Sequence, residues 1–241
     1  MSAHFAPLAE LSVAQRGALF ALLGKHFAGV ERDGFDRDLA DKTHVLRLVD
    51  GEGRLLGFST IDYRRRRFGD DDGALLYSGD TIVDPAAWAG ANLGPAWVAA
   101  VFALHAAQQG GPLWWLLLTS GVRTHRYLDV YCRHYHPAPP GRDDGDAATL
   151  LPGLCAERFA DRFDPTTGVV RLDAPQALLP HLATLPPHLA DDASVAFFLA
   201  RNPGWRSGEE LASLCRLDVD NLTTAGQRAL AIGRRAALAQ R

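Results

Sequence analysis

The sequence predicts a mixed α/β protein, and three observations support this fold class. The stretch from Ala74 to Tyr135 reads strand, glycine-containing turn, helix, strand, helix. Before it, the spacing of apolar residues changes from a helical period to an alternation of two. The composition, 47% hydrophobic and 22% charged residues, is that of an ordinary globular protein.

The first 63 residues predict two helices followed by a β-hairpin. Ser12 caps a first helix whose apolar stripe consists of Val13, Leu19, Leu22, Leu23 and Phe27. A short, very polar helix, expected at the surface, follows over Glu31–Lys42. Thr43–Val49 and Arg54–Tyr63 alternate with period two around the turn at 50–53, which is typical of an antiparallel hairpin.

The central stretch predicts two buried strands, each followed by a helix. Ala74–Val83 is apolar and β-prone, and Asp84-Pro85 ends it. Pro95 suits the first turn of a helix over Ala96–Gln109; a second strand, Leu113–Thr119, and a second helix, Val122–Tyr135, follow. The small-residue turn 86–94 has backbone N–H groups beside the positive end of a helix, which suits an anion such as a phosphate.

Beyond Tyr135 the pattern predicts a loop, a proline-punctuated region and a closing hairpin. Residues 137–146 are rich in Pro, Gly and Asp and predict an exposed loop. Helices are expected near Leu150–Asp161 and Pro175–Leu185. Two strands, Ser194–Arg201 and Glu210–Leu217, are expected to form a β-hairpin, and Asn221 or Thr223 would cap a last helix through Leu238.

Composition argues against several classes of protein. A net charge of -3 gives no broad attraction to nucleic acid. The longest apolar run is too short to cross a bilayer, and the N-terminus lacks the pattern of a signal peptide. Three scattered cysteines do not suggest a disulfide framework. We therefore expect a cytoplasmic enzyme or binding protein.

Two segments of the central stretch resemble motifs of a known family. Residues 89–94, Ala-Gly-Ala-Asn-Leu-Gly, lead into Pro95 and align with an Arg/Gln-x-x-Gly-x-Gly/Ala signature, in which Asn92 replaces the first glycine and Ala89 the basic or amide residue. Residues 130–136 align with a Leu-Tyr-x-x-x-Gly-Phe pattern through Tyr131. With the order of elements, these motifs resemble motifs A and B of the GNAT superfamily of acyl-CoA N-acyltransferases.

The resemblance implies a fold and a cofactor. The fold would be a single domain over residues 1–241, with a mostly antiparallel central sheet flanked by helices and residues 137–190 as an insertion before the closing hairpin. The co-substrate would be acetyl-CoA or another acyl-CoA, without a metal. The expected cofactor-binding residues are Thr81, Ile82 and Val83 on the strand, and Gly90, Ala91, Asn92, Leu93, Gly94, Pro95 and Ala96 in the turn and helix start.

The resemblance also implies two catalytic roles. Tyr131 would protonate the departing thiolate of coenzyme A, although Tyr127, Tyr131 and Tyr135 also fit one partly buried helix face. Asp80, a carboxylate in an otherwise apolar strand, is the candidate general base, and a purely structural aspartate remains the alternative. The i, i+2, i+4 spacing of Cys132, His134 and His136 on a helix argues against a shared metal site.

Three functional hypotheses follow. The first is transfer of an acetyl group from acyl-CoA to an amine, carried by a small molecule or a protein. The second uses a longer acyl chain on coenzyme A or on an acyl carrier protein. The third is a GNAT-like scaffold that has lost catalysis and binds a ligand or partner. Edge strands also offer surfaces for a homodimer.

Overall fold

The structure, a computed structural model, describes residues 1–90, 93–185 and 187–239. The chain divides into two compact units. The first contains Met1–Lys25, Val30–Leu113 and the C-terminal residues from Thr224, and the second contains His26–Gly29 and Trp114–Thr223. No helix of the described residues has the length and apolar character needed to cross a membrane.

The first unit is built on four antiparallel strands in the order β1-β3-β4-β5. These strands are β1 (Ser2–Pro7), β3 (His44–Val49), β4 (Leu55–Phe68) and β5 (Asp71–Val83). The helices of this unit are α1 (Val13–Gly24), α2 (Arg32–Ala40), α3 (Leu93–Ala107) and α7 (Thr224–Ala239). Helix α1 packs on β4 and β5, α3 packs on β1, β3 and β4, and α7 packs on α3.

The two faces of β4 differ: one lies toward α3, and the other carries buried polar residues. The Tyr63 hydroxyl and His105 Nδ1 of α3 are 2.8 Å apart, which orients this side of the strand toward α3. Because successive side chains of a strand point to opposite faces, Thr60 and Asp62 lie on the other face. Both are buried polar residues, so this second face is unusually polar for the interior of a sheet.

The second unit contains strands in the order β6-β10-β8-β7, all antiparallel. They are β6 (Leu113–Thr119), β10 (Glu210–Arg216), β8 (Val169–Val170) and β7 (Phe163–Asp164). Two short strands, β2 (Phe27–Ala28) and β9 (Ala177–Leu178), form a separate pair. The helices are α4 (Val122–Tyr131), α5 (Gly145–Phe159) and α6 (Ala193–Arg201).

The predicted fold class is confirmed: antiparallel strands pair in both units and helices pack on them. The capped first helix is also confirmed, since Ser12 and Gln15 form a reciprocal capping box. Val13, however, is 82% exposed and does not belong to the buried stripe. The expected surface helix, α2, buries Phe35 and Leu39. Strand β1 was not predicted.

The closing hairpin was predicted wrongly. Ser194–Arg201 belongs to helix α6, because the Asp192 carboxylate caps it by accepting from the N–H groups of Ser194 and Val195. Strand β10 is present as predicted but pairs with β6 and β8 instead of a hairpin partner.

Two helix predictions also need correction. The helix expected near Pro175–Leu185 is absent, and β9 and turns occupy this stretch, which contains two prolines that restrict helix formation. The helix expected over Val122–Tyr135 ends at Tyr131, since the N–H of Cys132 makes the last helical bond, to the carbonyl of Leu128. The single-domain prediction for residues 1–241 stays a prediction.

Candidate functional site

The described residues of the predicted anion-binding turn lie within the first unit. Strand β5 ends at Val83, a short 3₁₀ turn covers Pro85–Gly90, and α3 begins at Leu93. Ala91 and Asn92, two of the predicted cofactor contacts, lie outside the described residues. The N–H groups of the first helical turn have no partner inside a helix, so Gly94 and Ala96 offer donors that Pro95 lacks.

The start of α3 is held in place by α7. A side chain at Gly233 of α7 would collide with the carbonyl oxygen of Pro95 and would come within 2.6 Å of the Ala99 Cβ. The two helices therefore approach to a distance that only glycine permits at this point. No local pattern predicts this contact, because Pro95 and Gly233 are far apart along the chain.

The strand residues predicted to bind the cofactor are engaged inside the unit. The hydroxyls of Thr81 and Ser59 are 2.8 Å apart, and the Ile82 side chain is buried. The carbonyl of Val83 accepts a hydrogen bond of 2.9 Å from the indole N–H of Trp88, whose residue is 41% exposed. A cofactor that paired with this carbonyl would share its oxygen with the indole, because a carbonyl oxygen has two lone pairs.

Asp80 lies on a β-bulge. The strand register is regular on both sides of it, with Ser59 opposite Thr81 and Ile61 opposite Ser78. Two residues of β5, Gly79 and Asp80, therefore face the single residue Thr60 of β4. A bulge redirects side chains locally, and here it breaks the apolar alternation of the strand at its only acidic interior residue.

The surroundings of Asp80 raise the pKa of its carboxyl group to about 7. Burial is the largest cause, the nearby Asp38 carboxylate raises the pKa further, and the Lys42 ammonium lowers it. At neutral pH this group divides between its acid and carboxylate forms. A carboxyl group of this kind is suited to accept a proton from a reacting group.

Tyr131 lies in the second unit, at the last residue of α4. Its ring stacks on that of Tyr127, with centroids 5.8 Å apart and an angle of 20°. Burial, followed by the neighbouring Tyr127, raises the pKa of the Tyr131 hydroxyl to about 12. The phenol therefore keeps its proton at neutral pH. Tyr135, in contrast, lies beyond the helix and is not on the same helix face.

The sequence argument against a metal site assumed that Cys132, His134 and His136 lie on a helix, and this assumption was wrong. Cys132, His134 and His136 follow the end of α4 in extended or turn conformations. His136 Nδ1 lies 2.8 Å from the Asp143 carboxylate, and Cys132 is buried. Among the described residues, no group of three or more His, Cys, Asp or Glu side chains is arranged to hold a metal ion.

Sequence reasoning missed His125, a buried residue of α4. Its side chain has no exposed surface and lies among the rings of Tyr135, Phe197 and Phe198, at centroid distances of 5.2 to 6.3 Å. Neither ring nitrogen has a hydrogen-bond partner among the described residues. Burial lowers the pKa of this imidazole to about 4. Phe197 and Phe198 belong to helix α6, which was predicted as a strand, so their place beside His125 was missed.

No protein-family model and no curated protein matches the chain. It is similar in structure to a protein of unknown function from Enterococcus faecalis V583, described as a probable N-acyltransferase, with 13% identity and a TM-score of 0.41. That similarity covers 56% of this chain and 33% of the other, so the chain spans about a third of the length of the Enterococcus faecalis protein.

Two further solved structures are similar to parts of the chain. The GNAT family N-acetyltransferase YhbS from Escherichia coli, in complex with CoA, has 15% identity and a TM-score of 0.38, covering 53% of this chain and 68% of that one. Arabidopsis thaliana NAA60, in complex with a bisubstrate analogue, has 14% identity and a TM-score of 0.38, covering 59% and 92%.

Proposed function

We propose that this chain is an N-acyltransferase that moves an acetyl or other acyl group from acyl-CoA to an amine. The observation that carries the proposal is Asp80, a carboxyl group with a pKa of about 7 on a bulge near the end of β5. The strand leads within ten residues to a turn and to the start of α3, where an anionic cofactor has free backbone donors. A base and an anion site on one strand–turn–helix segment are what this reaction needs.

The proposed chemistry is direct attack of the amine on the thioester. The amine nitrogen bonds to the thioester carbon, the carbon–sulfur bond breaks, and the amine proton passes to the Asp80 carboxylate. The departing thiolate takes a proton, and we assign its donor as Tyr131, as the sequence resemblance implies. A phenol with a pKa of about 12 carries its proton at neutral pH, as a proton donor must. The tyrosinate then recovers its proton from solvent.

The cofactor assignment rests on residues 81–83, on Gly90 and on the first turn of α3. Gly94 has no side chain, so a bound anion can approach the backbone closely there. The N-terminal end of the helix also favours negative charge. We propose that the first turn of α3 holds the pyrophosphate of coenzyme A. The predicted contacts at Ala91 and Asn92 stay proposals drawn from the sequence.

One observation favours the second candidate, a GNAT-like scaffold that binds a ligand without catalysis. The hydrogen bond from Trp88 takes one of the two lone pairs of the Val83 carbonyl, a main-chain group that a pantetheine arm would use. If this bond opposes the cofactor, Trp88→Phe, which keeps the ring bulk but removes the N–H donor, should tighten binding of coenzyme A. Unchanged affinity, measured by calorimetry, would show that the indole is not an obstacle.

The test of the proposed function is thermal melting with acetyl-CoA, free coenzyme A and a long-chain acyl-CoA. A ligand at about 100 times its dissociation constant adds about 2.7 kcal/mol to the free energy of unfolding, a rise of several degrees in Tm. We expect this rise for the coenzyme A species, and the order of affinity among the three shows the preferred acyl length. No rise with any of them would overturn the proposal.

A matched pair of variants locates the bound cofactor. Gly94→Asp adds a carboxylate at the start of α3 and should abolish the rise in Tm by repelling the pyrophosphate. Ala106→Asp adds the same charge near the other end of α3, at an exposed position, and should leave the rise intact. An equal loss in both variants would contradict the assignment of the phosphate site.

A further inference from the structure

The polar face of β4 and β5 holds a buried lysine that the proposed chemistry does not yet use. Lys42 follows α2, and its side chain has no exposed surface. Its Nζ donates to the Asp38 carboxylate at 2.6 Å and to the Asp38 carbonyl at 3.0 Å, and lies 5.3 Å from the centroid of the Tyr77 ring. A buried ammonium needs such partners, because an unpaired charge in the interior is costly.

The bulge that carries Asp80 also makes room for this lysine. A Cβ added at Gly79 would lie 2.5 Å from Lys42 Cε and 3.3 Å from Lys42 Nζ. The lysine stem therefore crosses β5 at Gly79, the residue directly before Asp80, and a side chain at residue 79 would force the lysine stem to move. The ammonium therefore lies beside Gly79, the bulge residue that directly precedes the candidate base.

The same place contains a hydroxyl with no partner. Thr60, which faces Gly79 and Asp80 across the bulge, is fully buried, and its Oγ1 has no hydrogen-bond partner among the described residues. The Cβ added at Gly79 would lie 2.5 Å from this oxygen as well. A buried hydroxyl of this kind is uncommon in a region that serves only to fill the interior.

The charged groups on this face come from helix α2, from the residues directly after it and from strand β4. Helix α2 contributes Asp38, the residues after it contribute Lys42, and β4 contributes Asp62, whose carboxylate pairs with Arg64 at 2.9 Å. Lys42 is the cation that acts on Asp80, and Asp38 is the anion that acts on it. The two oppose one another, and the 2.6 Å bond between them fixes where each charge lies.

We propose that Lys42, anchored by Asp38 and lying across Gly79, is a positioning residue that sets the charge state of Asp80. The inference rests on the proposed function for its catalytic meaning, but the electrostatic link is a property of the first unit alone. Lys42 stabilises the carboxylate form of Asp80, which is the form that accepts the amine proton. Asp38 limits this effect in two ways: its negative charge offsets the charge of the Lys42 ammonium, and it repels the Asp80 carboxylate.

The experiment follows the protonation of Asp80 directly, by the carboxyl ¹³C chemical shift against pH in the full-length protein. Asp80→Asn assigns the resonance. Lys42→Met removes the charge and keeps the stem, and it leaves Asp38 half exposed to water, so we expect the variant to fold. Its Asp80 midpoint should rise by about one pH unit or more, as expected when an opposite charge nearby is lost.

Two further variants complete the design. Asp38→Asn removes the opposing charge from a half-exposed position and should move the midpoint of Asp80 downward. Lys25→Met removes the same charge as Lys42→Met at the other lysine of the chain, which is exposed, and should leave the midpoint unchanged. Midpoints that are equal in the wild type, Lys42→Met and Asp38→Asn would overturn the inference.

An activity measurement separates this inference from the proposed function. If the protein transfers acyl groups, the acid limb of its pH–rate profile should move upward in Lys42→Met by the amount that the midpoint moves. If the midpoints move as expected but no acyl-CoA binds, the proposed function fails and the link between Lys42 and Asp80 stands. If acyl transfer occurs and its acid limb is the same in both proteins, Lys42 does not position the base.

Discussion

Asp80 is the single residue on which the proposed chemistry depends most, and its role predicts a pH profile. A base with a pKa of about 7 must lose its proton before it accepts another, so the rate should rise with pH through about 7 and then level. Asp80→Asn should lower kcat by about 10² to 10⁴ and remove this rise. Acyl transfer to a panel of amines between pH 5.5 and 9 measures both effects.

The control for this prediction lies on the same strand. Asp72 is exposed near the beginning of β5, so Asp72→Asn removes a carboxylate without touching the bulge. This variant should keep the wild-type rate and pH profile. An Asp80→Asn protein that binds acyl-CoA and transfers at the wild-type rate would leave Asp80 as a structural residue, the alternative that its sequence position also allowed.

Tyr131 predicts a different kinetic signature from Asp80. Tyr131→Phe keeps the ring that stacks on Tyr127 and removes only the hydroxyl, so folding should be preserved. If the hydroxyl protonates the thiolate, kcat should fall about 100-fold or more with little change in the affinity for acyl-CoA. Tyr127→Phe is the matched control and should retain the rate. Equal rates in both variants would exclude Tyr131 as the acid.

At the scale of secondary structure, the contact between α3 and α7 predicts the effect of a single methyl group. Gly233→Ala places a Cβ against the carbonyl of Pro95, so the start of α3 or the whole of α7 must shift. We expect a loss of about 1–3 kcal/mol in the free energy of unfolding, as is usual for overpacking. Weaker binding of coenzyme A should accompany it, because the displaced turn is the proposed phosphate site.

Gly17 of α1 provides the comparison for this helix substitution. A Cβ there would meet no heavy atom within 4 Å, so Gly17→Ala should stabilise the protein by about 0.5–1 kcal/mol through helix propensity alone. Chemical denaturation measures both changes. If Gly233→Ala is as stable as Gly17→Ala, α7 does not constrain α3.

The elements that the sequence predicted well are those with local signals. Ser12 and Gln15 form the capping box of α1, and the apolar run Leu113–Thr119 is strand β6 with the predicted bounds. The prediction for helix α6 failed because a short run of apolar residues does not distinguish a buried strand from a helix. The signal that was overlooked was Asp192, the N-cap directly before that run.

Asp80 could be chosen as a candidate base from the sequence, but its electrostatic surroundings could not be predicted. Asp80 stands out in the sequence as a carboxylate in an apolar strand, but the bulge at Gly79 and the lysine 38 positions earlier are tertiary features. No local pattern links Lys42 to Asp80. The pKa of about 7, which gives Asp80 its proposed role, arises only when the chain has folded.

At the scale of the whole molecule, the fully buried His125 and the half-buried Asp80 give the stability opposite dependences on pH. The folded-state pKa of His125 is lowered to about 4, so above pH 4 the unfolded chain binds more protons and stability rises with pH up to about 6.5. The folded-state pKa of Asp80 is raised to about 7, so between its ordinary value near 3.8 and pH 7 the folded chain binds more protons and stability falls with pH. Over the shared range the two contributions offset one another.

We therefore expect the contributions of His125 and Asp80 to stability to cancel between about pH 4.5 and 6.5, and single variants should expose each of them. In Asp80→Asn only the His125 contribution remains. Relative to wild type, the free energy of unfolding of this variant should therefore increase by up to about 1.4 kcal/mol for each unit by which the pH rises. His125→Phe, which suits the aromatic surroundings, should lose a similar amount for each unit relative to wild type. Chemical denaturation at pH 4.5, 5.5 and 6.5 measures these slopes, with His181→Gln, a change at an exposed histidine, as the control.

If the two units unfold in separate transitions, the Asp80 effect should appear in the transition of the first unit and the His125 effect in that of the second. Parallel pH dependences in the wild type and both variants would mean that neither group is held in the protonation state described above.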